Sequence, residues 1–162
     1  MTSEKEHASV VRYVTVTGTR SITGECEAQL PDLFDGYLRP FADAESHFHL
    51  GGAAGIDTAA LEWLAAHTPA SLTVVVPCTV ADQPAVANEA IRRWQGRGRL
   101  AEVVELGAGK LGTSAYHARN RWMVDRSGFV IGFPHGTQPT SGTWYTVDYA
   151  AEQGKPRLVV PV

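Results

Sequence analysis

The strongest constraint on the fold is an alternation that runs the whole length of the chain. Short β-branched and aromatic runs take turns with longer segments whose apolar residues recur at helical spacing. The strand candidates are residues 10–17 (VVRYVTVT), 46–50 (SHFHL), 72–76 (LTVVV), 101–106, 128–133 (GFVIGF) and 156–161. Residues 72–76 are almost continuously apolar and stop at Pro77, the pattern of a parallel strand covered on both faces. Between the strands lie helical segments at 25–38, 57–67 and 81–94, one around Arg119, Asn120 and Arg121, and one opening near Ser141. In the first of these, Pro31 is expected in the opening turn, where a missing N–H does no harm, and Pro40 closes the segment. Strand–helix alternation implies right-handed βαβ units. The expected fold is therefore a single α/β, Rossmann-like domain: a mostly parallel sheet of five to six strands with helices on both faces, spanning residues 10–162 behind a flexible tail at 1–9.

With 162 residues, 44% of them hydrophobic and 19% charged, the chain can bury a full core. No apolar run approaches the roughly 20 residues that span a bilayer, and the polar start MTSEKEHAS is no signal peptide. Cys26 and Cys78 are far apart and in no metal-like spacing. A cytoplasmic protein with free thiols follows as the expectation, with no membrane partner, no cofactor and no metal. A net charge of −3 counts against a generic polyanion binder. It leaves room for a local pocket with two or three arginines.

Four places carry chemistry. Gly18-Thr19-Arg20-Ser21 ends the first strand with backbone N–H groups, hydroxyls and a guanidinium able to fork onto two phosphate oxygens. The loop Gly51-Gly52-Ala53-Ala54-Gly55 opens a helix whose early residue Asp57 either caps the helix or meets ribose hydroxyls. Its glycines read as a backbone surface that a ligand approaches closely. Arg119 and Asn120 sit near the strand-end edge, whereas Arg121 is expected to pair with Asp125 four residues on. Ser141-Gly142-Thr143 places two hydroxyls and free N–H groups at a helix N-terminus, which favours an anion. In an open parallel sheet these loops share the carboxyl edge, where ligands bind. The reading is a site for a small nucleotide-type ligand, with Gly18, Thr19, Arg20, Ser21, Gly51, Gly52, Gly55, Asp57, Arg119, Asn120, Ser141, Gly142 and Thr143 as contacts. On it, Arg119→Ala loses ligand without unfolding.

Other residues have plainer roles. His47 and His49 alternate on a strand and share a face without a third ligand. His117 and His135 flank the site, and Trp144 and Tyr145 offer stacking surfaces. Arg92, Arg93, Arg97 and Arg99 make a basic helix end, a solvated surface or a nucleic-acid track.

Taken in order, these motifs resemble the SLOG superfamily, which contains the DprA/Smf and LOG proteins. DprA proteins carry G-[ST]-R after the first strand, S-G-x-A-x-G-I-D, R-N-R and a later S-G-[ST]. Gly18-Thr19-Arg20, residues 51–57 (with glycine in place of the serine), Arg119-Asn120-Arg121 and Ser141-Gly142-Thr143 match them. The resemblance spans about Val11 to Val160 and implies a nucleotide- or nucleic-acid-phosphate site, often in a homodimer, here closer to small stand-alone members. It also implies single-stranded DNA as an alternative partner. LOG enzymes cleave the ribose–base bond, and their R-x-x-x-M pattern is met by Arg119 and Met123. At their catalytic glutamate this chain has Tyr145, so the expectation leans away from an enzyme. Asp57 and Asp148 are the remaining carboxylate candidates for that chemistry.

Overall fold

The computed structural model describes residues 11–138 and 141–162. The expected tail at 1–9 lies outside them. The elements follow as β1 (Arg12–Gly18), α1 (Gly24–Tyr37), β2 (Ser46–Gly51), α2 (Ile56–His67), β3 (Ser71–Val76), α3 (Ala85–Gly96), β4 (Glu102–Glu105), α4 (Thr113–Asp125), β5 (Phe129–Phe133), α5 (Gly142–Glu152) and β6 (Arg157–Val159). The six strands form one sheet in the order β4-β3-β2-β1-β5-β6. Every pairing is parallel. The chain starts at the centre, steps outward to β4, then crosses back to lay β5 beside β1. That reversal between β1 and β5 is where an open α/β sheet forms its ligand crevice.

Helices α1, α2 and α3 pack side by side, while α4 and α5 pack together. With right-handed crossovers this puts three helices on one face and two on the other. The two faces differ chemically because strand side chains alternate. Val14, Val16, Phe48, Leu50, Leu72, Val74, Ile131 and Phe133 join Phe34, Leu61, Leu64 and Ile91 in the main core. The other face of the same strands carries Thr15, Thr17, His49 and Thr73, all buried.

Two elements differ from their sequence patterns. Pro31 lies about two turns inside α1 rather than at its start, because the Thr23 side chain accepts from Cys26 N–H and opens the helix earlier. Pro31 is exposed, so the Glu27 carbonyl that loses its partner is on the solvent side. The helix expected at 81–94 is split: a single 3-10 turn, Val80–Asp82, precedes Pro84, and α3 begins after it. Proline disfavours helical geometry in the residue before it, here Gln83.

His47 and His49 do share a face, their rings 5.3 Å apart. His47 Nε2 lies 2.6 Å from Thr73 Oγ1. His49 Nδ1 lies 3.1 Å from Ser127 Oγ, which in turn lies 2.7 Å from Thr15 Oγ1. Among the described residues no group of three His, Cys, Asp or Glu is placed to hold a metal. Burial, followed by the charges of His47 and Arg126, holds the His49 imidazole down at about 4. The unfolded chain takes up this proton near pH 6.5, the folded chain only near 4, so the unfolded state binds more protons in between. Stability is therefore complete above about pH 6.5 and falls as pH drops towards 4, by up to on the order of 3 kcal/mol. Urea titrations of the wild type and His49→Asn at pH 7 and pH 5 test this. The variant should lose less on acidification, and equal losses would remove His49 as the cause.

Candidate functional site

Three loops meet at the carboxyl edge of β1, β2 and β5, and glycines decide how closely. Thr19 N–H donates to the Phe133 carbonyl (3.0 Å), and Ile56 N–H donates to the Thr19 carbonyl (3.0 Å). The first loop is thus tied both to β5 and to the start of α2. A Cβ at Gly18 would overlap the Ile56 side chain, and one at Gly55, where φ is +78°, would overlap the Thr19 carbonyl oxygen. Within the loop, Ser21 N–H donates to Thr19 Oγ1 (3.2 Å). Arg20 is exposed, its guanidinium 4.1 Å above the centre of the Tyr116 ring.

The second loop brings Asp57 in at the first turn of α2. Asp57 Oδ2 accepts from Ala53 N–H (3.2 Å) and the carboxylate is buried. A Cβ at Gly51 would stand 2.5 Å from both Asp57 Oδ2 and Arg119 Nη1. Gly51 therefore makes room for the acid from α2 and the base from α4 to converge. Gly52 makes room for Val76 in the same way.

Arg119 is only 3% exposed, a rare position for a charged side chain. Its Nε donates to Asn120 Oδ1 (2.7 Å), and its Nη1 reaches the Val75 carbonyl at 3.5 Å. Burial pulls the guanidinium below its ordinary value and pushes the Asp57 carboxyl above its own; each group's charge opposes the shift of the other. The third loop supplies the start of α5. Ser141 Oγ accepts from Trp144 N–H (3.2 Å), while the N–H groups of Gly142 and Thr143 have no partner within the helix. Gly132 lets Val147 of α5 close onto β5.

The result is a cleft of about 230 Å³ lined by Thr17, Gly18, Thr19, Arg20, Ser21, Ala53, Asp57, Arg119, Asn120, His135, Ser141, Gly142 and Thr143. Most of the residues singled out in the sequence come together there. Gly51, Gly52 and Gly55 are not on its wall; they act one layer behind it. Asp148 is exposed on α5 and is not on the wall either. Thr17 had no signal beyond adjacency to the first motif, whereas Ala53 lies inside the second as one of its small residues. Tyr116 was missed as well, although it lies one helical turn before Arg119.

Several neighbours are engaged elsewhere. Arg121 does not pair with Asp125: it donates to Tyr145 Oη (2.6 Å), and Asp125 accepts from Tyr149 Oη (2.6 Å). The α4–α5 packing makes these cross-helix partners closer than the one within the helix. Tyr145 stacks on His117 with ring centres 3.5 Å apart. Trp144 Nε1 donates to the Gly136 carbonyl (3.0 Å), and His135 Nδ1 lies 2.9 Å from the Val162 carbonyl. Arg93 pairs with Glu62, Arg97 lies over Trp94, and Arg99 donates to carbonyls at the end of α2. Because α3 runs antiparallel to the strands, this basic helix end lies at the sheet edge opposite the cleft.

The chemistry of the cleft is that of an anion holder. Two guanidiniums, the N-terminus of α5 and a ring of hydroxyls face one small space, and among the described residues a single carboxylate shares it.

No family model and no curated protein matches the chain. Solved structures do. DNA processing protein A from Helicobacter pylori, whose structure was determined for its single-stranded DNA binding mode, is similar at TM-score 0.67 and 21% identity, over 94% of this chain and 66% of that one. DNA processing protein A (DprA) from Streptococcus pneumoniae is similar at TM-score 0.70 and 22% identity, over 95% of this chain and 52% of that one. This chain thus spans between about half and two thirds of the length of these neighbours. What it shares with them is the α/β, Rossmann-like fold of DNA processing protein A.

Proposed function

We propose that the cleft binds the phosphate, and the adjoining ribose, of a nucleotide-type ligand, without strong turnover. One observation carries this reading: Arg20, Arg119, the Ser141–Gly142–Thr143 helix start and the Thr19 and Ser21 hydroxyls all line the same 230 Å³ space. Asp57 is the group for a ribose hydroxyl, its outer oxygen being left by the Ala53 contact. It is also the cleft's one carboxylate among the described residues. The exposed position of Asp148 and the engaged Tyr145 leave LOG-type cleavage without a second acid. A homodimer is part of the proposal.

A second reading has specific support. The Helicobacter pylori neighbour binds single-stranded DNA, and an internal phosphodiester presents two non-bridging oxygens to the same donors that would meet a nucleotide's terminal phosphate. Against an extended track stand the net charge of −3 and the placement of Arg92, Arg93, Arg97 and Arg99 at the far edge.

Melting curves against AMP, dinucleotides, ADP-ribose and oligodeoxythymidine, with product analysis, separate the readings. Saturation at about 100 times the dissociation constant adds roughly 2.7 kcal/mol, a visible shift. A shift with a small nucleotide and no product supports the first reading. A shift with oligodeoxythymidine alone, fading as salt rises, supports the second. Release of free base overturns the non-catalytic assignment, and no shift with any probe overturns both.

A further inference from the structure

Arg20 raises a physical problem that the cleft alone does not solve. It sits on a loop, it is exposed, and among the described residues no hydrogen bond or ion pair holds its side chain. A free arginine samples many rotamers, and ordering it on binding opposes affinity. It must also approach a second guanidinium, that of Arg119, which repels it. The ring of Tyr116 answers both difficulties. The Arg20 guanidinium lies 4.1 Å from the ring centre and that of Arg119 lies 6.0 Å from it, both within cation–π range. Tyr116 is half-buried on α4, one turn before Arg119, so its position is set by the same helix that delivers Arg119.

We propose that Tyr116 is a positioning residue of this site: its ring holds the Arg20 guanidinium over the cleft, so that Arg20 and Arg119 meet one anion as a preformed pair. The inference rests on the phosphate-site reading above and adds to it a residue that lines no part of the cleft. Because the ring acts through its π face and not its hydroxyl, phenylalanine can replace it and leucine cannot.

The test measures binding of inorganic phosphate and of AMP by calorimetry to the wild type, Tyr116→Phe, Tyr116→Leu, Arg20→Ala and the double variant Tyr116→Leu/Arg20→Ala. Tyr116→Leu is expected to weaken binding about two- to five-fold, the range of an exposed cation–π contact. Tyr116→Phe should bind as the wild type does. In the Arg20→Ala background, adding Tyr116→Leu should change nothing further, since the ring acts through Arg20. A merely structural tyrosine would weaken binding by the same factor with or without Arg20, and that result overturns the proposal. So does unchanged binding in Tyr116→Leu while the wild type binds normally, which leaves the phosphate site itself standing. If the wild type binds neither probe, the site reading fails and this inference falls with it.

Discussion

Arg119→Ala is expected to abolish phosphate binding and to destabilise the fold by about 3 kcal/mol. The binding loss follows from the position of the guanidinium on the cleft wall. The stability loss follows from burial: Arg119 is 3% exposed, and Asp57, 6% exposed, packs beside it over Gly51. Without the Arg119 charge, Asp57 is a buried carboxylate held by the Ala53 N–H and the more distant charge of Arg20, and its pKa, already raised by burial, moves further up. The sequence reading has Arg119→Ala losing ligand without unfolding; the burial of Arg119 adds to it that the fold should persist at reduced stability. Urea denaturation and phosphate calorimetry check the two effects separately. Adding Asp57→Asn to Arg119→Ala should restore part of the stability and none of the binding. A single variant as stable as the wild type would mean that the pair does not share a buried field.

Gly55→Ala is expected to destabilise by about 2–5 kcal/mol, combining backbone strain with an overpacked contact. At φ +78° and ψ −129° the residue occupies a region that side chains avoid. The added methyl would also overlap the Thr19 carbonyl oxygen and come within 2.7 Å of Arg20 Cα. The atoms it meets are backbone, so no rotamer change relieves it. The Thr19–Ile56 hydrogen bond would lengthen, and the Arg20 loop would move with it. Equilibrium unfolding checks the stability effect. A loss below about 0.5 kcal/mol, the ordinary size for a neutral surface change, would mean that this junction gives way to the added methyl.

Much of the fold was legible because its determinants are local. Six strand patterns and five helical ones appear in sequence order, and of the four motifs flagged as chemical two end a strand, one lies within α4 and one opens α5. The exceptions have local explanations of a finer kind. Thr23 outranks Pro31 in setting where α1 begins, and Pro84 divides a segment whose apolar spacing alone runs on. Arg121 and Asp125 stand at good helical spacing but find closer partners on α5. A spacing rule cannot weigh partners from another element.

The sequence by itself determined the alternating elements, the mostly parallel sheet and the residue types at each loop: glycine, hydroxyl, guanidinium and helix start. These depend on neighbours within a few positions. The tertiary structure decided how closely the loops meet and through which contacts. Thr15 and Ser127, 112 positions apart, touch because β5 returns to the centre beside β1, and that return carries Arg119 and Ser141 to Arg20. It also decided what each glycine is for. The side chains for which Gly51 leaves space, Asp57 and Arg119, come from two different helices. Whether an absent Cβ admits a ligand or another side chain is a question of what stands 2.5 Å away in space, and no local pattern encodes that distance.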